Sequence, residues 1–131
     1  MRRSVYVEGL GHGDNPIPAA AVVGSLLMSG GISGVERSTG QMPDLLADEL
    51  ANMFDNIEAV LGTVGATVDE VVRLDVSLVA PTARGALNAE WVRRFPEEAN
   101  RPARKTEVGV ALPPGLRVQC TFVAELEGRA Q

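Results

Sequence analysis

Residues 43–79 read PDLLADELANMFDNIEAVLGTVGATVDEVVRLDVSLV, a helix pattern followed by a strand pattern. Proline is favoured in the first turn of a helix, so a helix is predicted to open at Pro43 and to stop at Gly65. Its apolar side chains recur at steps of three and four on one stripe, at Leu46, Leu50, Met53, Ile57, Leu61 and Val64. Residues 67–70 predict a turn, and residues 71–79 then alternate as a strand. One face of that strand is apolar and the other is polar: Val72, Leu74, Val76 and Leu78 against Arg73, Asp75 and Ser77.

Shorter patterns extend this helix and strand in both directions. A second helix is predicted over residues 81–95, with Leu87, Trp91 and Phe95 on its apolar stripe. The remaining strands are predicted at residues 3–8, 19–23, 26–29, 103–111 and 116–126. Glycine-rich residues 9–16, residues 32–42 and residues 112–115 are predicted as loops and turns. The order βββαβαββ predicts an α+β fold in which two helices cover one face of one sheet. The other face mixes apolar and polar side chains, which fits either a wet interface between subunits or exposure to solvent.

Length and composition limit the classes of protein to consider. A chain of 131 residues is expected to form a single domain over residues 1–131. The net charge of −5 disfavours a nucleic-acid partner, because a nucleic-acid backbone is bound by basic patches. No apolar run approaches a membrane span and no export signal is evident, so no membrane partner and a cytoplasmic location are expected. One cysteine and one histidine cannot form a four-ligand zinc site, and no metal or other cofactor is expected.

Residues 101–119, RPARKTEVGVALPPGLRVQ, carry the most specific motif of the chain. The run resembles the C-terminal signature of the reactive intermediate deaminase (Rid, or YjgF) family. That signature is proline, one residue, arginine, a short strand, Leu-Pro, and a strand with a glutamate. Other segments resemble the family along nearly the whole chain, at Met28-Ser29-Gly30, at residues 56–67, and at Asn88, Trp91 and Phe95.

The resemblance implies a chorismate-mutase-like homotrimer with small-molecule clefts between subunits. It implies hydrolysis of reactive imine or enamine intermediates that bear a carboxylate, giving a keto acid and ammonia. By the same resemblance Arg104 binds the substrate carboxylate, and Gln119 occupies the position of the glutamate that positions or activates water. Thr106 takes a position that offers backbone contacts, and the remaining cleft residues are Ser29, Gly30 and Asn88.

Two of these positions can be weighed by their chemistry. A guanidinium binds a carboxylate with two parallel hydrogen bonds, so Arg104 suits a small anion. Gln119 can orient a water but cannot take its proton, because an amide is not a base. Deamination could therefore be weak or altered. The alternatives are a non-catalytic trimer that binds a small carboxylate, and a divergent enzyme that acts on a related intermediate.

Either a base comes from elsewhere in the chain, or the substrate needs none, or deamination is weak or lost. His12 and Asp14 in the glycine-rich loop are the candidate auxiliary residues, because histidine changes charge near neutral pH. Glu107 and Glu125 are weaker candidates, since alternation points Glu107 away from Arg104 and Glu125 is six residues from Gln119. Cys120 alternates onto the apolar face and is expected to be a buried packing residue.

The spacing of the last two strands adds an expectation about the site. If residues 112–115 form a simple hairpin, Arg104 pairs near Val123, about four residues or roughly 13 Å from Gln119. The two side chains could then share a ligand only across a subunit interface, or else the turn is not a simple hairpin. In either case one site is expected to require more than one chain.

Overall fold

A computed structural model of the chain describes residues 1–126. The elements are β1 (Arg3–Val5), β2 (Ala20–Val23), β3 (Leu26–Ser29), β4 (Ile32–Ser33), α1 (Leu46–Thr63), β5 (Val71–Leu78), α2 (Arg84–Arg94), β6 (Ala103–Val108) and β7 (Val118–Glu125). Short 3₁₀ turns lie at Val68–Glu70, Pro81–Ala83 and Glu98–Asn100. The predicted α+β order is confirmed, with the short β4 added. The expected single domain over residues 1–131 extends past the described residues.

One mixed sheet contains all seven strands in the order β1-β2-β3-β7-β5-β6, with β4 pairing with β7 beyond the end of β3. Strand β7 is antiparallel to both β3 and β5, and β6 is parallel to β5. A parallel pair requires a crossover connection, which α2 provides between β5 and β6. The crossover places β6 at the edge of the sheet.

The last two strands therefore do not form the simple hairpin that the sequence analysis considered. Strand β5 lies between β6 and β7, so Arg104 pairs with Leu74 and has no pairing with Val123. Residues 109–117 instead pass the end of β5. There Val110 N donates to Leu78 O at 3.2 Å and Val79 N donates to Arg117 O at 3.1 Å. Gly109 and Gly115 have φ angles of 70° and 89°, which glycine adopts readily, so the connection can bend at both points.

Both helices pack on one face of the sheet, as the apolar stripes predict. The apolar side chains of both stripes are buried in the same core as the inward side chains of β5 and β7. They are Leu50, Met53, Ile57 and Leu61 on α1, Leu87 and Trp91 on α2, and Phe95 just after α2. One member of the predicted strand face differs. Val72 is 53% exposed because the register shifts between Val71 and Arg73, and Val71 takes the inward position. A bulge of this kind reverses the facing of a side chain without ending the strand.

Helix α1 begins at Leu46, three residues later than the sequence predicts. The carbonyl oxygens of Pro43 and Asp44 accept hydrogen bonds from the Arg117 guanidinium at 2.8 and 3.0 Å. The same guanidinium forms a 2.6 Å ion pair with Glu49, whose side chain is fully buried. The segment before the helix is thus held to the start of β7.

Residues 32–42 are not all loop, because Ile32 and Ser33 form β4 and pair with Cys120 and Gln119. Helix α1 secures this region through Asn56, which is buried and donates from Nδ2 to the carbonyls of Ser33 and Val35 at 2.8 and 3.0 Å. At Gly34 an added Cβ would collide with the backbone carbonyl oxygen of Glu49. The close approach of β4 to α1 explains why glycine follows the strand.

Candidate functional site

Arg104 lies on the edge strand β6, on the side of the sheet that the helices cover. It pairs with the buried Leu74, and paired residues point to the same face. Its Nε donates to Thr106 Oγ1 at 2.8 Å and its Nη2 donates to Asn88 Oδ1 at 2.7 Å. Its guanidinium carbon lies 4.9 Å from the centre of the Trp91 ring. Four side chains from one strand and one helix therefore form a single cluster, the arginine cluster.

The charge of the arginine cluster is positive, and no carboxylate of residues 1–126 forms an ion pair with it. Among residues 1–126 neither Arg104 nor Arg84 forms an ion pair, and Nη1 of Arg104 forms no hydrogen bond. Burial, and then the positive charge of nearby Arg84, lower the pKa of Arg104. An arginine remains protonated at physiological pH even so. The cluster thus offers a fixed guanidinium with free donors, which suits a small carboxylate.

Gln119 lies on the opposite face of the same sheet. It pairs with Ser33 on one side and with Ser77 on the other, and Ser77 in turn pairs with Glu107. These positions alternate with the buried Leu78, Val118 and Cys120, so they face away from the helices. Arg104 and Gln119 of one chain therefore cannot contact the same small molecule. It is the sheet itself that separates the two side chains, not an offset along a hairpin.

A cavity of about 270 Å³ adjoins Gln119. Its walls come from the glycine-rich loop, from the β4 region and from the connection before β7: Leu10, Gly11, His12, Gly13, Asn15, Gly31, Ile32, Ser33, Pro113, Leu116 and Gln119. We call it the glutamine cavity. An added Cβ at Gly31 would lie 2.7 Å from Gln119 Nε2, so the amide packs directly against this glycine. The resemblance names Gly30 as a cleft residue, but the glycine that the amide touches is Gly31.

Of the remaining predicted residues, one lines the glutamine cavity and others form hydrogen bonds that hold the strands together. His12 is half-buried and lines the glutamine cavity, whereas Asp14 is exposed and does not. Ser29 Oγ accepts from Phe122 N and donates to Gly30 O, both at 2.8 Å, and so bridges β3 to β7 where their ladder ends. Gly30 N donates to Ala19 O at 2.9 Å. A role for Ser29 and Gly30 in ligand binding stays a prediction.

Glu125 and Cys120 occupy the places that alternation predicts on β7. Glu125 pairs with Leu26 near the far end of the strand and does not line the glutamine cavity. Cys120 is 2% exposed, and burial raises the pKa of its thiol far above the usual range. Its predicted role as a packing residue is confirmed.

A larger cavity of about 460 Å³ lies at the start of α1, away from both sites. Its lining includes the carboxylates of Glu36, Asp44 and Asp48 and no basic residue. Negative lining opposes the binding of a carboxylate, so this cavity does not compete with the arginine cluster for an anion. In residues 1–126 no three His, Cys, Asp or Glu side chains are grouped as metal ligands would be.

Comparison with known proteins agrees with this fold. The endoribonuclease L-PSP family matches residues 15–126. A RutC family protein of Haemophilus influenzae is 25% identical over 126 residues, covering 95% of this chain and 97% of that protein. The 2-iminobutanoate/2-iminopropanoate deaminase of Escherichia coli K12 is 22% identical over 125 residues, covering 95% and 98%. The crystal structure of RidA from the Antarctic bacterium Psychrobacter sp. superposes with a TM-score of 0.83 at 22% identity, covering 94% and 98%.

The chain therefore belongs to the endoribonuclease L-PSP family, which is the RidA/YjgF family, and it has that family's fold. No helix in residues 1–126 has both the length and the apolar content that a membrane-spanning helix requires.

Proposed function

We propose that this protein hydrolyses small imines or enamines that carry a carboxylate, releasing a keto acid and ammonia. The observation that carries the proposal is the arginine cluster, where a half-buried guanidinium is held by Asn88, Thr106 and Trp91 and meets no carboxylate of residues 1–126. A guanidinium held in this way is preorganised for a ligand carboxylate. The relative named 2-iminobutanoate/2-iminopropanoate deaminase makes a 2-imino acid the first substrate to test.

The proposed site is assembled from two copies of the chain. Because the two side chains face opposite sides of the sheet, Arg104 of one copy meets the glutamine cavity of a neighbouring copy in a homotrimer. The uncovered face of the sheet supports association, since Val23, Leu26 and Met28 are 55%, 42% and 55% exposed there. In the assembled site Arg104 holds the carboxylate and Gln119 orients the attacking water by hydrogen bonds.

A direct test generates 2-iminobutanoate with an amino-acid oxidase and follows release of 2-oxobutanoate above the buffer rate. Wild type should accelerate release, and Arg104→Ala should raise KM and lower kcat/KM by about 10–100-fold, the scale of one charge-assisted contact. Arg93→Ala is the matched control. Its side chain is 69% exposed, and Glu90 keeps its 2.6 Å bond to Arg94 when Arg93 is removed.

The same assay decides between hydrolysis and the alternatives. If wild type gives no rate above buffer but binds 2-oxobutanoate in calorimetry, and Arg104→Ala abolishes that binding, the protein is a carboxylate binder and not a deaminase. If Arg104→Ala leaves both activity and binding unchanged, the arginine cluster is not the anion site. A divergent enzyme would bind the carboxylate yet turn over a different intermediate.

A complementation experiment tests assembly from two chains. Arg104→Ala and Gln119→Leu are each expected to be at least tenfold impaired when pure. Unfolding and refolding the two variants together should restore activity in about a quarter of the sites, because each shared site then receives both wild-type residues by chance. If the residues act within one chain, no mixed assembly contains an intact site and activity does not return.

A further inference from the structure

His12 and Gln119 meet at the same glycine. Nε2 of His12 lies 3.3 Å from the carbonyl oxygen of Gly31, and the Gln119 amide packs on the α-carbon of Gly31. Both side chains line the glutamine cavity. The imidazole is therefore a neighbour of the group that occupies the family's glutamate position.

The hydrogen bond decides which nitrogen of the neutral ring holds the proton. A carbonyl oxygen only accepts, so Nε2 must be the donor. In the neutral ring Nδ1 then carries a lone pair. Nδ1 is also the one buried side-chain nitrogen or oxygen in residues 1–126 that has no hydrogen-bond partner. A buried acceptor without a donor costs about 1–3 kcal/mol and calls for an explanation such as a bound water or a catalytic role.

Within residues 1–126 the glutamine cavity holds no rival base. None of the other described residues that line it has an ionisable side chain, whether from the glycine-rich loop, the β4 region or the connection before β7. The charged groups next in sequence to the lining are Asp14, which is exposed, and Arg117, which is paired with Glu49. The cavity volume of about 270 Å³ exceeds the roughly 30 Å³ that one water occupies, so water and a small ligand both fit.

We propose that His12 is the general base of this site and replaces the carboxylate that Gln119 lacks. The assignment rests on the proposed function. Gln119 orients a water and Nδ1 of His12 takes the proton that the water loses. Rotation of the exposed glycines on both sides of His12, Gly11 and Gly13, would let Nδ1 turn toward the cavity.

The proton balance closes without any co-reactant. Water attacks the carbon of a protonated imine, a C–O bond forms, the C=N π pair moves to nitrogen, and a water proton goes to Nδ1. The imidazolium then returns this proton to the amine nitrogen. As the C–N bond breaks and ammonia leaves, the hydroxyl proton passes to Nδ1 and the C=O bond forms. The proton on His12 finally returns to solvent.

The first test is the pH–rate profile of His12→Gln. Glutamine keeps a donor for the Gly31 carbonyl but cannot accept a proton from water. We expect kcat to fall by about 10²–10⁴-fold with little change in KM. In wild type kcat/KM should fall toward acid pH, because a protonated imidazole cannot act as a base. In His12→Gln this fall should be absent. Glu8→Gln, a matched change at an exposed residue before the loop, should leave the profile unchanged.

A rescue experiment separates a base from a packing residue. Adding Gln119→Glu to His12→Gln places a carboxylate in the same cavity and should recover at least tenfold of the lost rate. A purely structural histidine of the loop would not be replaced by a glutamate on strand β7. If His12→Gln matches wild type in rate and profile, or if the double variant gains nothing, the assignment is overturned while the proposed function stands.

A measurement on the resting protein is independent of catalysis. His12 is the only histidine of the chain, so its ¹⁵N signals need no assignment strategy. Above neutral pH the neutral ring should show a protonated Nε2 and an unprotonated Nδ1. The opposite tautomer would overturn the assignment even if wild type is active. If wild type hydrolyses no imine, both the proposed function and the role of His12 as general base are refuted.

Discussion

Arg104 is held in place before any ligand arrives. Its contacts with Thr106 and Asn88 use one hydrogen of Nε and one of Nη2, and Trp91 supports the guanidinium plane. Fixing the guanidinium in advance removes part of the side-chain entropy that binding would otherwise cost. Asn88 matters here because it joins helix α2 to the edge strand.

Substituting Asn88 should therefore weaken the binding of anions without altering the charge of the site. For Asn88→Ala we expect a rise of about 3–10-fold in KM or Kd for a 2-oxo acid, the equivalent of about 1 kcal/mol. Calorimetric titration with 2-oxobutanoate measures this change. Ala89→Ser, an exposed neighbour on the same helix, is the control. Equal affinity in Asn88→Ala and wild type would show that the contact with Asn88 does not support the arginine.

Cys120 gives a pH dependence of stability whose sign can be worked out. Burial raises the pKa of the folded thiol far above its unfolded value, so the folded state keeps the proton as pH rises. Stability is fully present below the unfolded pKa of about 8.5 and falls above it, because only the unfolded thiol ionises there.

Urea unfolding at pH 7.5 and 9.5 measures this effect. Between these values wild type should lose about 1 kcal/mol more of its free energy of unfolding than Cys120→Val does. The comparison of the two proteins cancels the contribution of other groups, and Cys120 is the only cysteine. An identical pH dependence in both proteins would contradict a buried neutral thiol.

The contact between α1 and β7 depends on one ion pair. Glu49 is fully buried, and its carboxylate accepts from both the guanidinium and the backbone nitrogen of Arg117, at 2.6 and 2.9 Å. Arg117 also binds the carbonyls that precede the helix. These bonds link the first turn of α1 to the start of β7, two residues before Gln119.

Arg117→Met should lower the free energy of unfolding by about 3 kcal/mol, because it leaves a buried carboxylate with a single hydrogen bond. Glu49→Gln should have a smaller effect, since its amide oxygen still accepts from the arginine. Urea denaturation gives both values, with Arg93→Met as the control for loss of an exposed arginine. A smaller effect for Arg117→Met than for Glu49→Gln would show that the pair is not what holds these elements together.

At the scale of the whole molecule, the two helices cover one face of the sheet, and no element of residues 1–126 covers the other. The uncovered face carries a row that runs across the strands, in which Ala21 pairs with Met28 and Met28 pairs with Val123. Exposed apolar side chains that cluster in this way mark an association surface. Arg73 and Asp75 continue the same face and pair with each other at 2.8 Å.

A charge placed in this row should separate the proposed trimer. Wild type is expected to show three times the chain mass of 13.8 kDa in light scattering, and Met28→Lys to show a single chain with an unchanged circular dichroism spectrum. The monomeric Met28→Lys variant should also lose activity, because the proposed site is shared between two copies of the chain. Val92→Lys is the matched control, since Val92 is 50% exposed on α2. Monomeric wild type, or a trimeric Met28→Lys, would refute the proposed interface.

Local patterns were enough to predict most elements and to single out Arg104, the proposed anchor of the site. The stripes of α1 and α2 and the alternation on β7 appear in the sequence because the period of burial follows directly from helix and strand geometry. Arg104 could be singled out because guanidinium chemistry and a motif coincide there. The start of α1 could not be placed, since Arg117 binds the preceding carbonyls from a strand some seventy residues away.

The sequence by itself determined the α+β order and most of the inward side chains, with Val72 as the exception. Only the tertiary structure decided that β5 separates the last two strands, that Arg104 and Gln119 face opposite sides of the sheet, and that His12 shares a cavity with Gln119. The physical reason is how far apart in the chain the interacting residues lie. Helix and strand periodicity is set by neighbours along the chain, whereas strand order depends on the crossover through α2. The meeting of His12 with Gln119 depends on a loop and a strand more than a hundred residues apart in the chain, which pack on the same glycine.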